Sequence, residues 1–349
     1  MKAFVLAMLV AAPAFPQVKF VGKTKYLNNA RAVVTHTFDD SNLRVIDTLD
    51  ALDKYGVKAT AFVSTARSPI EKLWDRLRLA VDNGHEVGSH SRQHQCKWPA
   101  DAQVCSGFIS DGEVAGSRDD IVRNTQQKYV WSWCYPCGLC ADLPASHAVI
   151  RSAGYLVGRN YPGEEQDLHN VPNLQTWASN PFNAAYTQVV QKKGGIAKSG
   201  RTDVAELNAK FDEVHKSGGI YHFLSHPAWL DFGSDAFYER HLAHIAKRSD
   251  VWYVPLGPLY AYPELRDKTE VKRLNGRRYA VTANVDRKVY DGSVTLEFDA
   301  GRAKGVLIDG KPAPERTSGL TDHWRGAYFR RDGGRVFVTL APGSTVEFR

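Results

Sequence analysis

Two short polar clusters interrupt otherwise apolar stretches, and both carry groups that bind cations or move protons. The first is Thr37-Phe38-Asp39-Asp40-Ser41, closing the β-type run Ala32–Phe38. Adjacent carboxylates repel each other, and a bound cation or a cationic partner relieves that repulsion. Taken alone, the same residues also suit a turn with a helix N-cap. The second cluster is His90-Ser91-Arg92-Gln93-His94. Histidines at i and i+4 lie on one face of a helical turn, a spacing that suits chelation of a divalent metal. A third apolar run, Phe223-Leu224-Ser225, ends in His226. Each cluster closes a strand-like segment, and in a barrel of parallel strands those C-terminal ends share one face. One Asp and two His form a three-ligand set with room for water, which fits a catalytic rather than a structural metal site.

The elements that must carry these groups alternate between strand and helix from Arg31 to about Tyr260. Asn42–Tyr55 places Leu43, Ile46, Leu49 and Leu52 at helical spacing, and Gly56 ends the run. Lys58–Val63 and His85–His90 read as strands, with an amphipathic helix expected over Ile70–Asn83 between them. Tyr155–Gly158 and Ile220–Ser225 are later strands, each preceded by a helical pattern and a glycine. The pattern predicts an α/β fold, a (β/α) barrel with its chemistry at strand ends. After about Pro263 the character changes. Short β-type runs at Tyr279–Val285, Ser293–Phe298, Gly305–Ile308, Ala327–Phe329, Arg335–Leu340 and Ser344–Phe348 are separated by turns such as Asp291-Gly292 and Asp309-Gly310. They predict a C-terminal all-β, sandwich-like domain. It is either a glycan-binding unit, using Trp324 or Tyr328, or a structural flank.

The chain has 349 residues, 43% hydrophobic and 24% charged, which is enough apolar material for a large core. Its formal net charge of +7 is spread along the chain, and no nucleic-acid-binding module accompanies it, so nucleic acid is not expected as a partner. Lys2, the apolar run Ala3–Ala12 and Ala12-Pro13-Ala14 read as a secretory signal peptide. That run is too short to span a bilayer, so membrane insertion is not expected. The expected division is a leader at 1–16, a catalytic barrel at 17–262 and the β domain at 263–349, with a secreted, periplasmic or cell-envelope location. Export permits disulfides among Cys96, Cys105, Cys134, Cys137 and Cys140. Cys96 with Cys105 and Cys134 with Cys140 are possible pairs by position, although sequence does not fix connectivity. Cys134-x-x-Cys137-x-x-Cys140 also resembles a metal-ligand run, but no second cluster accompanies it.

The ordered clusters make the chain resemble the polysaccharide deacetylase family, carbohydrate esterase family four, also called the NodB-homology fold. The family's Thr-Phe-Asp-Asp-Gly/Ser, His-Ser/Thr-x-x-His and Leu-x-His motifs match Thr37–Ser41, His90–His94 and Leu224–His226. The resemblance covers roughly Arg31 to Tyr260. It implies a distorted (β/α) barrel that removes acetyl groups from an acetylated polysaccharide. It also implies Asp39 as general base, His226 as general acid, and Asp40, His90 and His94 as metal ligands. Zinc suits that donor set, and cobalt, nickel or manganese also fit it. The family's Arg-x-Pro-x-Gly motif is altered here to Cys134-Tyr135-Pro136-Cys137-Gly138. The resemblance puts the Cys137 backbone N–H at the oxyanion and Tyr135 and Pro136 beside the substrate. Cys134 stands where the family's arginine orients the base, and Arg159 and Arg92 are the candidate substitutes. The tryptophan-bearing motif is matched only by Trp177, a candidate substrate contact, with Asp167 as the candidate carboxylate. The readings that follow are an N-deacetylase, an O-acetyl esterase, or a non-catalytic glycan-binding protein on the same fold.

Overall fold

The computed structural model describes residues 17–97, 101–160, 177–178, 180–184, 204–301, 303–316 and 325–349. The expected leader at 1–16, Asp167 and Trp324 lie outside these residues. The described chain opens with strand β1 (Lys19–Lys23), and then strands and helices alternate. They are β2 (Ala32–Asp39), α1 (Arg44–Tyr55), β3 (Ala59–Val63), α2 (Trp74–Asp82), β4 (Glu86–Ser89), α3 (Ala102–Phe108) and α4 (Asp111–Thr125). β5 (Ser132–Cys134), α5 (Pro144–Ser152), β6 (Val157–Arg159), α6 (Val204–Ser217), β7 (Ile220–Ser225), α7 (Phe237–Ile245), β8 (Val251–Tyr253) and α8 (Leu256–Asp267) follow.

Strands β2 to β8 pair in parallel in the order β6-β5-β4-β3-β2-β7, with β8 beside the start of β2. Every residue of β2 is buried. Burial on both faces explains its continuous apolar run, since helices cover one face of a parallel sheet and side chains fill the other. Helix α1 turns Val45, Leu49 and Leu52 inward and stops at Gly56, whose left-handed φ of 71° closes the last turn. The helix expected over Ile70–Asn83 is split, because Ile70–Lys72 forms a 3-10 turn and α2 begins only at Trp74.

The remaining strands are β9 (Thr269–Arg273), β10 (Arg278–Ala283), β11 (Val294–Asp299), β12 (Val306–Ile308), β13 (Lys311–Pro312), β14 (Tyr328–Asp332), β15 (Arg335–Leu340) and β16 (Ser344–Phe348). They form two antiparallel sheets, β1-β11-β15-β14 and β13-β12-β16-β10-β9. Phe298 packs against Phe20, Tyr279 and Phe348 between them. Two features cross the expected division at 262/263. The N-terminal strand β1 pairs with β11, and α8 runs straight through the boundary with Pro263 inside it.

One apolar cluster joins the two halves. It contains Val33, Ile220 and Trp252 from the barrel, Leu259, Tyr262 and Leu265 from α8, and Leu296 and Val338 from the sandwich. Val33 and Ile220 stand at the starts of their strands. The sandwich therefore plugs the N-terminal end of the barrel. Asp39 lies six strand residues further along β2, roughly 20 Å away at the usual rise. Tyr328, considered as a glycan contact, is buried and covered by the Arg316 guanidinium.

Candidate active site

The C-terminal ends of β2, β4, β5, β6 and β7 bring the polar clusters to one face of the sheet. β2 ends at Asp39, and Asp40 follows in the left-handed region at φ 78°. That reversal sends consecutive carboxylates to different environments. Asp39 is 2% exposed, whereas the Asp40 side chain is 40% exposed. Ser41 locks the turn, since its Oγ accepts from the Ser64 amide at 2.8 Å. Ser64, just beyond β3, also donates from Oγ to the His90 carbonyl at 3.1 Å. This serine clamps both motifs. The sequence reading passed over it, although its position after a strand end was the available signal.

Asp40 Oδ1 lies 3.3 Å from His94 Nε2 and 3.7 Å from His90 Nε2. Donors bound tetrahedrally at about 2.05 Å would be separated by about 3.3 Å, so the set fits a metal of zinc size. His90 Nδ1 lies 3.0 Å from the Cys134 carbonyl, a contact that leaves Nε2 free to bind as a lone pair. Burial is the largest cause holding the His90 imidazole below its ordinary pKa, and it outweighs the upward pull of Asp39. The two histidines do not share a helix. The chain leaves β4 through Ser91 at φ 63° and reaches His94 at φ 50°, so the chelating pair is built from a loop. Glu113, at the start of α4, fixes that loop by accepting from the Arg92 and Gln93 amides at 2.8 and 2.9 Å.

Among the described residues, two other donor groups come close enough to hold an ion, but their chemistry disfavours it. In the group of Asp39, His90 and Cys134, the Arg159 guanidinium pairs with Asp39 and lies 2.8 Å from Cys134 Sγ. A second cation there would meet that charge, and burial raises the Cys134 thiol well above its ordinary pKa, which keeps it protonated. In the group of His94, Cys96 and Cys137, the two sulfurs are bonded to each other. Asp40, His90 and His94 are the set left with available donors.

Arg159 is the residue that meets Asp39. β5 and β6 pair in parallel with Cys134 directly beside Arg159, so the guanidinium enters from the neighbouring strand at the same level. It is fully buried, rests over the Phe62 ring at 5.1 Å and forms an ion pair with Asp39. Burial alone would push the Asp39 carboxyl up, but Arg159, His90 and His226 outweigh it and lower the pKa to about 2. Arg92 instead points outward, donating to Asp120 at 2.9 Å.

His226 leaves β7 with Nε2 3.9 Å from Asp40 Oδ2. Burial pushes its imidazole below the ordinary pKa, against the pull of Asp39 and Asp40. Trp229, not singled out in the sequence, packs against it with the rings tilted by 45° and their centroids 3.6 Å apart.

Three expected substrate contacts lie elsewhere. Tyr135 is buried, and its hydroxyl donates to the Phe182 carbonyl at 2.6 Å. Pro136 is buried beside it. Trp177 donates to the Leu259 carbonyl at 2.9 Å and packs on Tyr26. The Tyr26 hydroxyl meets Gly218 before the start of β7, whereas His226 leaves the far end of that strand. Trp177 therefore belongs to the core at the opposite end of the barrel. The cysteines also pair differently from the positional expectation. The disulfides are Cys96–Cys137 and Cys105–Cys140, and Cys134 is the free thiol. The pairs join the segment between β4 and α4 to the loop after β5, a proximity set by strand neighbours rather than by sequence spacing.

Residues 27–158 match the family model described as polysaccharide deacetylase. That stretch is a polysaccharide deacetylase domain of the NodB type. This is a family of hydrolases that deacetylate carbohydrates, generally with a metal. Asp39, Asp40, His90 and His94 fall inside the matched stretch, Arg159 is one residue beyond it, and His226 lies well past it. Among solved structures, the chain is similar to the Xyl-CE4 domain of a multidomain xylanase from the hindgut metagenome of Trinervitermes trinervoides, at 20% identity over 61% of this chain and 80% of that one, with a TM-score of 0.36. A family 4 carbohydrate esterase from Streptomyces lividans in complex with acetate aligns at 17% identity over 62% and 88%, with a TM-score of 0.39. The Puue allantoinase aligns at 11% identity over 74% and 97%, with a TM-score of 0.43. No curated protein sequence matches the chain.

Proposed function

We propose that this protein is an exported, zinc-dependent polysaccharide deacetylase that removes acetyl groups from an N-acetylated glycan of the N-acetylglucosamine type. The observation that carries this reading is the ion pair between Asp39 and Arg159. The loss of the family arginine at Cys134 is the feature that favoured a non-catalytic protein. A buried guanidinium one strand over restores a charged partner to the base.

The donors Asp40, His90 and His94 would hold the cation, and two imidazoles with one carboxylate suit zinc. Such an ion supplies Lewis acidity toward an acyl carbonyl and acidifies water. The chain's own groups do the rest. Asp39 stays ionised at neutral pH because Arg159 holds it so, and it accepts the proton of the attacking water. The Cys137 backbone N–H, on a turn at φ 56°, would donate to the charge that develops on the carbonyl oxygen. His226, held in place by Trp229, carries a proton to the leaving nitrogen. The two disulfides support the export reading, since such bonds persist in oxidising compartments.

The test is acetate release from a panel of acetylated glycans by zinc-loaded protein, with chelated and zinc-restored samples alongside. Chelator-sensitive release from an N-acetylglucosamine polymer is expected. Release from acetylated xylan alone would make the protein an O-acetyl esterase, and release from neither would overturn the catalytic reading. Asp40→Ala should lose zinc and turnover together. Asp39→Asn should keep zinc and lose about 10²- to 10⁴-fold in kcat, and full activity in that variant would refute the base assignment.

A further inference from the structure

The loop that presents His94 is pinned on both sides of the histidine. Before it, Glu113 holds the Arg92 and Gln93 amides, and the His94 amide donates to Ser91 Oγ at 2.8 Å. After it, Cys96 is bonded to Cys137, with Cα atoms 6.2 Å apart. Both loops joined by that bond contain strained residues, His94 at φ 50° on one side and Cys137 at φ 56° on the other. Left-handed conformations outside glycine persist only where the surroundings over-determine them. Here one covalent bond ties the two turns together within two residues of the first and at the second itself.

The same bond touches the His94 ring. Imidazoles that bind metal usually set their other nitrogen against a fixed partner, and losing that partner weakens metal binding. For His90 the partner is the Cys134 carbonyl. For His94 it is Cys96 Sγ, 3.7 Å from Nδ1, while Nε2 faces Asp40. We infer that the Cys96–Cys137 disulfide is a positioning element of the metal centre, fixing the His94 ring and the Cys137 turn together, so that the centre binds zinc tightly only while the bond is intact. This rests on the reading of His94 as a metal ligand. The second disulfide serves as the control, since Cys105 and Cys140 are both buried and it is Cys96, not either of them, that meets the His94 ring.

The bond is open to a reductant because Cys96 and Cys137 are both exposed. A water-soluble phosphine breaks the S–S bond and takes up the oxygen of one water molecule as phosphine oxide. The two protons of that water end on the sulfurs as two thiols. Iodoacetamide then alkylates each thiol with loss of iodide and a proton, leaving two thioethers that cannot re-form the bond.

The experiment measures zinc affinity by equilibrium dialysis, without substrate, on wild type and on the Cys96→Ser/Cys137→Ser and Cys105→Ser/Cys140→Ser variants. The first variant should bind zinc on the order of 10- to 100-fold more weakly, the range found when such outer partners are removed. The second should melt at a lower temperature and keep its zinc affinity. Should the first variant fail to fold by circular dichroism, wild type reduced and alkylated selectively at Cys96 and Cys137, as checked by mass spectrometry, takes its place. Wild-type affinity without the 96–137 bond overturns the inference alone. Equal loss in both variants also overturns it, by reducing the bond to general bracing. Absence of stoichiometric zinc binding by oxidised wild type overturns the metal-site reading and this inference with it.

Discussion

Replacing Arg159 by Met keeps much of the side chain's length and removes its charge. Asp39 is then a carboxylate at 2% exposure without its buried cation. Removing one partner of a buried ion pair costs about 3–5 kcal/mol. The lowering of Asp39 from 3.8 to about 2 gives a second figure. At about 1.4 kcal/mol per tenfold change in proton affinity, it corresponds to roughly 2.5 kcal/mol. The two agree in order of magnitude, and a barrel of this size should lose on the order of 10 °C in Tm. The sign follows from the depressed pKa. The contribution is fully present above 3.8 and disappears as pH falls through about 2, so wild type and variant differ most at neutral pH. In the variant, burial acts unopposed by Arg159 and raises Asp39. The acid limb of kcat/KM should therefore move up by roughly one to three pH units. Turnover should fall about 10²-fold or more, with zinc content unchanged. Because Cys134 and Arg159 are register neighbours, the exchange Cys134→Arg/Arg159→Cys should recover much of the lost activity. Thermal melts, zinc content and a pH–rate profile of acetate release check these outcomes. A variant with wild-type turnover and an unmoved acid limb would refute the argument that Arg159 serves Asp39.

Acid should loosen the core beneath the site. His36, His222 and His241 are buried, and burial is the main cause holding each below its ordinary pKa, with His222 and His241 lowered to about 3. The unfolded chain binds those protons first, so stability is present above about 6.5 and is lost as pH falls below it. At pH 5 the loss is about 2 kcal/mol for each of His222 and His241, and urea midpoints measured at pH 7.5 and pH 5 would expose it; equal midpoints would contradict it. Truncation after Asp267 should not yield a free-standing barrel. It uncovers Val33, Ile220, Trp252, Leu259 and Tyr262 and strips β1 of its partner β11. At about 2 kcal/mol per side chain the loss is about 10 kcal/mol, comparable to the whole stability of a domain. A soluble, cooperatively melting, active fragment would show that the shared cluster does not matter.

The polar clusters were legible wherever they were local. A strand that ends in a polar pair carries its own signal, because the apolar run, the turn and the ligand types are contiguous. Asp39, Asp40, His90, His94 and His226 could therefore be singled out from the sequence, and they converge in space because parallel strands end on one face. The short strands β5 and β8, three residues each, carry too little pattern to be recognised alone. Local reading placed His90 and His94 on a helix, since i and i+4 spacing suits one, whereas the loop after β4 brings the two rings together with left-handed turns. Tyr135, Pro136 and Trp177 showed the reverse failure: residues of suitable type were drawn into the core by packing that spacing does not encode.

What the sequence determined by itself was the alternation of elements, the change to β structure after the barrel, and the identities of the groups that gather at the strand ends. Lateral neighbours were left to the tertiary structure. Which strand lies beside β5 decides that Arg159 takes the place left by Cys134, and which loops adjoin decides that Cys96 finds Cys137. The physical reason is that strand register and loop proximity depend on the packing of the whole sheet, whereas periodicity reports only the residues within a turn or two of each other.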